Sequence, residues 1–264
     1  MRLHVHHSTV YRYDSDVARS TQYLRLTPRD SSRQRVISWE LRVPVPATRS
    51  TDPYGNVLHV LSAELPHREL LIEVEGVVEV EDTALEETDG LPPMIFLRPS
   101  ALADADASMR AFAREETTLE ADLCPAARAT RLMERLRDRM AFLTGSTDTC
   151  TTAAEAFAAG QGVCQDFTHV ILGCLRELGI PARYVSGYLL TDLEGHVASH
   201  AWAEVWTGTH WSGLDVANGV AASGSHLKLA VGLDYLDACP VRGVRSGGGG
   251  EQMEARAFVR LAEQ

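Results

Sequence analysis

The chain has 264 residues, 45% of them apolar, and a formal net charge of −11. That is enough apolar material for one large core or two smaller ones, and the acidic balance argues against nucleic acid or anionic membrane partners, which need a basic surface. No stretch is long and apolar enough to span a bilayer, and Met1-Arg2-Leu3-His4-Val5-His6-His7 alternates like a strand rather than a signal peptide, so a cytoplasmic protein is the simplest expectation.

From residue 1 to about 81, short alternating segments read as strands at 9–13, 36–43, 57–61 and, most clearly, 70–80. Asp52-Pro53-Tyr54-Gly55-Asn56 supplies turn chemistry between two of them. The spacing predicts a small antiparallel sandwich or barrel over residues 1–90. An acidic link over 81–90, followed by Leu91-Pro92-Pro93, marks the expected boundary with a second region, 91–264. That region opens with helical patterns at 100–116, 124–142 and 153–159. After the next helix, strands are expected at 182–190, 199–206, 210–216 and 228–231, with a last one at 253–261. Gly247–Gly250 is followed by no Lys-Ser or Lys-Thr, so it reads as a turn and not a phosphate loop. The second half is therefore α+β, one helix packed on an antiparallel sheet.

Five cysteines, widely spaced and odd in number, predict neither a disulfide framework nor a C-x-x-C zinc site. Cys124, Cys150, Cys174 and Cys239 read as buried or incidental thiols. Cys164 differs. It follows Gly160-Gln161-Gly162-Val163 and opens a segment with apolar residues at Phe167, Val170, Ile171, Cys174, Leu175 and Leu178, the spacing of a buried helical face. Gly179 and Pro181 then stop the helix. A thiol on a first helical turn sits beside unpaired N–H groups and the positive end of the dipole, which favours the nucleophilic thiolate.

A cysteine nucleophile needs a base, and the base an orienting partner. Ser199-His200-Ala201-Trp202-Ala203-Glu204-Val205-Trp206 reads as a strand with His200, Trp202, Glu204 and Trp206 on one face. Trp211-Ser212-Gly213-Leu214-Asp215-Val216 reads as a second strand; paired as a hairpin, it sets Asp215 beside His200. Each residue alone has a duller explanation: packing for the cysteine, an ordinary polar role for the histidine, a turn for the aspartate. In this order on helix, strand and strand, they point together to a Cys-His-Asp triad.

These residues also carry a resemblance. Gly162-Val163-Cys164-Gln165-Asp166-Phe167-Thr168-His169, Leu178-Gly179-Ile180-Pro181-Ala182-Arg183-Tyr184-Val185 and Ser199-His200-Ala201-Trp202-Ala203-Glu204-Val205 resemble the bacterial transglutaminase-like family. So do Ala230-Val231-Gly232-Leu233-Asp234-Tyr235 and Pro240-Val241-Arg242-Gly243. His6-His7-Ser8-Thr9-Val10-Tyr11-Arg12-Tyr13 and Leu24-Arg25-Leu26-Thr27-Pro28-Arg29 resemble the β-rich N-terminal region that accompanies it. The resemblance is weakest over 91–149. It implies a papain-like, transglutaminase-like core behind an N-terminal antiparallel β domain, with Cys164, His200 and Asp215 as the catalytic residues. Where the family usually has Phe-Asp-Pro-Thr-Asn, this chain reads Leu214-Asp215-Val216-Ala217-Asn218: the carboxylate and the Asn are kept, the stiffening proline is not.

The expected chemistry is acyl transfer through a Cys164 thioester, on a peptide, protein or other amide-containing substrate. Hydrolysis, as by a cysteine protease or amidase, is favoured; transfer to an amine, as by a transglutaminase, is the alternative, and a non-catalytic peptide-binding relative is the weaker rival. The Cys164 N–H is an expected oxyanion donor, with the Gln161 side chain or the Trp202 indole as second-donor candidates. A metal site of Cys164, His169 and His200 matches no common zinc spacing, and His4, His6 and His7 read as exposed strand residues. No D-x-D-x-D-G loop occurs, so no metal or cofactor is expected. A homo-oligomer is left open.

Overall fold

A computed structural model describes residues 1–82, 89–118, 123–190 and 199–262; most of the acidic link, residues 83–88, lies outside the described residues. Strand β1 (Arg2–Leu24) is far longer than its clearest alternating stretch. Beside it stand β2 (Gln34–Arg42), β3 (Ala47–Thr51), β4 (Val57–Ala63) and β5 (His67–Val80), in the order β2-β5-β1-β4-β3. After a 3₁₀ turn at Pro93–Leu97 come helices α1 (Ala107–Thr118) and α2 (Pro125–Arg139). Strand β6 (Ala141–Phe142) pairs in parallel with β7 (Gln161–Gly162), and α3 (Ala153–Ala159) lies between them. Helix α4 (Cys164–Glu177) leads into β8 (Ala182–Leu189), β9 (Ser199–Trp206), β10 (Trp211–Asp215), β11 (Val220–Ala221) and β12 (His226–Gly232). These five strands form an antiparallel sheet in the order β11-β10-β9-β8-β12.

The chain end departs from a simple division at residue 90. After the short helix α5 (Tyr235–Ala238), β13 (Val241–Gly247) and β14 (Glu251–Leu261) return to the N-terminal sheet and pair along β1, Leu24 with Val241 and Leu3 with Leu261. The N-terminal strands therefore do not close on themselves as a sandwich or barrel. A sheet with one apolar face must bury it against another layer, and here that layer is the second sheet: Leu3, Val5, Ile72 and Val74 share a core with Tyr188, Leu227 and Leu229. The other face of the second sheet takes the helices, with Ala201, Ala203 and Val205 of β9 packed among Phe167, Ile171 and Leu175 of α4. Three layers result, with β8 buried along nearly its whole length. Among the described residues, no helix is long and apolar enough to cross a membrane.

Candidate active site

Three local features place Cys164 at the start of α4. Helix α3 ends at Gly160, whose φ of 66° turns the chain back towards the cleft without the penalty a side chain would carry. Gly162 follows because a Cβ there would lie 2.6 Å from Cβ of Asp166. Asp166 in turn accepts the Val163 N–H at 2.7 Å and the Thr147 hydroxyl at 2.6 Å, which caps the helix and holds its first turn. Cys164 is half-buried there, while Cys174 and Cys239 are buried in apolar surroundings; burial pushes the Cys174 thiol up to about 12.

His200 enters from β9. Antiparallel pairing sets Leu214 of β10 opposite Ala203, so Asp215 emerges one residue on, at the His200 end of the hairpin. The His200 Nε2–H donates to Asp215 Oδ2 at 2.8 Å, and Asp215 is fully buried. His200 also shares a hydrogen bond with the Cys164 side chain. Because Nε2 is given to the carboxylate, Nδ1 is the ring nitrogen left for the sulfur. The structure thus brings Cys164, His200 and Asp215 together in the order expected from the sequence.

Asp215 accepts more donors than the hairpin alone would supply. The Asn218 side chain donates to Oδ2 at 2.7 Å and the Asn218 N–H to Oδ1 at 3.2 Å. These bonds shape the turn that lacks the stiffening proline. His226 of β12 donates its Nε2–H to the same Oδ2 at 3.0 Å. Its Nδ1 accepts the Ser223 N–H at 3.1 Å, which leaves the ring proton on Nε2 and fixes the tautomer. His226 drew no attention in the sequence, since it reaches Asp215 only across the sheet; the hydrogen-bonding Asn two residues after Val216 was the nearer signal.

The electrostatics follow from this arrangement. Burial disfavours charge on His200, but the hydrogen bond to Asp215 and the hydrogen bond and charge of Cys164 outweigh it and push the imidazole up to about 10. Burial likewise opposes the charge on Asp215, yet the bonds from His200, His226 and Asn218 hold its carboxyl well below the usual carboxylate range. Together these favour an anionic Asp215 beside a cationic His200 at neutral pH. His200, Asp215 and His226 also lie within 4.8 Å of one another, a spacing a metal ion could use. The bonds above account for it without one.

Other candidates fall elsewhere. Gln161 sits in β7 and does not line the cleft; Gln165, in the first turn of α4, does. Trp202 lies behind His200, packed edge-on against His226 with ring centroids 5.2 Å apart, in a buried cluster with Val185 and Val231. Its alternating position is on the face of β9 turned to the N-terminal sheet, so the indole is a wall behind the histidines and not a donor in the cleft. His169 is in the core, where its Nε2 accepts the Tyr235 N–H at 3.1 Å and burial pushes it down to about 4. His4 faces Glu75 at 3.5 Å, while His7, read from the sequence as exposed, is buried and lines the cleft.

The three-layer α+β fold, with a cysteine on a helix N-terminus against a strand histidine, defines a transglutaminase-like protein of the papain-like class. Two family profiles match the chain: the bacterial transglutaminase-like N-terminal region over residues 3–79 and the transglutaminase-like superfamily over 110–216. The chain belongs to this family. It is 32% identical to the uncharacterized protein ML0607 of Mycobacterium leprae over 99% of each chain. It is 34% identical to the uncharacterized protein Rv2569c of Mycobacterium tuberculosis, over 92% of this chain and 87% of the relative. Its fold is similar to that of a candidate cysteine protease from Cytophaga hutchinsonii, with a TM-score of 0.82 at 20% identity, covering 100% of this chain and 91% of the other.

Proposed function

We propose that this protein is a thiol enzyme that cleaves a peptide or other amide bond through a Cys164 thioester. The observation that carries the reading is the single line of contacts from Asp215 through His200 to Cys164, with the sulfur at the start of α4. The Cys164 thiolate attacks the amide carbonyl carbon, and the charge that develops on oxygen faces the N–H of Cys164, which at the first helical position has no intrahelical acceptor. As the tetrahedral species collapses, the C–N bond breaks and the His200 imidazolium gives its proton to the departing amine. Neutral His200 then takes a proton from water as its oxygen attacks the thioester. The C–S bond breaks, the carboxylic acid leaves, and the thiolate–imidazolium pair is restored. Asp215 keeps the ring oriented throughout and stays ionised.

Two measurements test this. With iodoacetamide at near-neutral pH, Cys164 is expected to alkylate far faster than the exposed Cys124 and Cys150, and to lose that advantage in His200→Ala. Equal labelling of the accessible cysteines sinks the reading. Incubation with a glutamine-containing peptide library, with and without a primary amine, then identifies the acceptor: cleavage or deamidation supports hydrolysis, and amine incorporation without cleavage replaces it with transamidation.

A further inference from the structure

The cleft beside Cys164 has one wall that the helix-bearing core does not make. Tyr11 of β1 and Met253 and Ala255 of β14 line it, aligned by the antiparallel pairing of Tyr11 with Met253 and Thr9 with Ala255. Tyr184, Tyr235 and Val241 line it as well. The cavity is about 280 Å³, at the small end of ligand clefts, which are roughly 300–1,000 Å³. It suits a side chain or two and not the face of a folded partner.

Its chemistry is one-sided. The chain carries 36 Asp and Glu and 25 Lys and Arg, yet among the described residues none of these types lines the cleft. Several of the polar groups that reach it are engaged within the protein. His7 spends Nδ1 on the Tyr188 hydroxyl at 2.7 Å and Nε2 on Thr9 Oγ1 at 2.8 Å, and burial keeps the ring neutral. The Ser186 hydroxyl donates to the Ala238 carbonyl at 2.6 Å. A charged side chain entering here gives up its hydration against a mostly apolar wall, and among the described lining residues the charges it meets are those of the reacting Cys164–His200 pair. An aromatic or branched aliphatic one gives up nothing and covers apolar wall.

We propose that this cleft takes an uncharged apolar side chain on the residue flanking the amide that Cys164 attacks, and that β1 and β14 set this selectivity. The returning C-terminal strand thereby becomes part of the substrate site and not only a closure of the N-terminal sheet. The inference rests on Cys164 acting as the nucleophile, and its test keeps the two apart.

The full chain is treated with short peptidyl vinyl sulfones that carry Leu, Phe, Lys or Asp at the flanking position, with iodoacetamide in parallel, and Cys164 modification is followed by mass spectrometry. The Leu and Phe probes are expected to modify Cys164 about tenfold or more faster than the Lys and Asp probes. Met253 is 57% exposed, so substitution there is expected to leave the fold intact. Met253→Glu is expected to erase much of the Leu and Phe advantage and to raise the Lys rate, while Met253→Leu keeps the wild-type ranking. Equal rates for the four probes, a faster charged probe, or an unchanged ranking in Met253→Glu overturns the inference while rapid iodoacetamide labelling leaves the nucleophile standing. Iodoacetamide labelling of Cys164 no faster than that of Cys124 overturns both.

Discussion

Strands β8 and β9 carry a buried charge cluster at each end, and the two are built for different ends. At the Ala182–Val205 end, Arg183 donates to Glu204 at 2.7 Å and to Asp89, lies 4.2 Å over the Trp211 ring, and is fully buried. Lys228 reaches the other Glu204 oxygen at 2.9 Å. Burial opposes the Glu204 charge, but Arg183 and Lys228 hold its carboxyl far below its ordinary value. A guanidinium does not deprotonate in a protein, so Arg183 stays charged there at any pH the fold survives. At the Gly187–His200 end, the carboxylate of Asp215 is as well supplied with donors, but its main partner is an imidazole with a second nitrogen free to face a sulfur and a cleft. The same way of burying charge makes architecture where carboxylates face fixed cations, and a reactive site where one titratable atom is left over.

Exchanging a carboxylate for its amide at each end is the most severe way to break that contrast. Asp215→Asn is expected to lower amide turnover on the order of 10⁴-fold, because the amide cannot hold the imidazolium and stabilises the wrong tautomer. The folded state should survive. Glu204→Gln is expected to do the reverse: turnover per folded molecule stays near wild type, while urea denaturation shows a loss of about 3–5 kcal/mol from the buried charges left unpaired. The Glu204 carboxyl is depressed in the folded state, so its stabilisation is present above its unfolded value near 4.5 and is lost as pH falls through about 2. Acid denaturation of Glu204→Gln should lack that component. If Asp215→Asn unfolds the protein and Glu204→Gln removes turnover, the two clusters have been assigned the wrong way round.

His226 sharpens the comparison on a smaller scale. It donates to Asp215 and does not itself line the cleft, so it acts as a positioning residue. His226→Leu removes one hydrogen bond to a charged group, worth about 1.5 kcal/mol and so about tenfold in kcat. KM should stay unchanged, and His226→Gln, which restores an N–H donor, should recover part of the loss. A fall in stability with no change in kcat would make His226 architecture, like Arg183.

Local patterns carried the Cys164 helix and the His200–Asp215 hairpin almost to their observed bounds. Apolar spacing from Phe167 to Leu178, a Gly-Pro stop and two alternating strands depend on neighbours in the chain. His226 and the cleft wall depend on pairings across the whole sequence, such as Tyr11 with Met253, that no local period encodes. Gln161 failed for a related reason: one turn of geometry decides whether a glutamine before or after Cys164 meets the cleft, and the one that does is Gln165. Trp202 failed because alternation assigns a face but not which layer that face meets.

The finest test is the titration of His200 itself, read by nitrogen and proton NMR of the imidazole. Burial lowers its affinity for a proton, and the bonds to Asp215 and Cys164 raise it, with a net position near 10 against an unfolded value of 6.5. A folded value above the unfolded one contributes stability that is fully present below pH 6.5 and is lost as pH rises through about 10. The ring should therefore show both nitrogens protonated at pH 7 and lose one proton only at strongly alkaline pH. Cys164→Ser removes a charge and a hydrogen bond that favour the cation, so the midpoint should move down. Asp215→Asn, which removes the orienting carboxylate, should move it down as well, and the double variant further than either. Any stability change between pH 6.5 and 10 that vanishes in His200→Ala belongs to the open end of the strands. A His200 midpoint at its ordinary value in the wild-type chain would mean that the sulfur and the carboxylate do not act on the ring together, and the contrast between the two ends would reduce to a difference in packing.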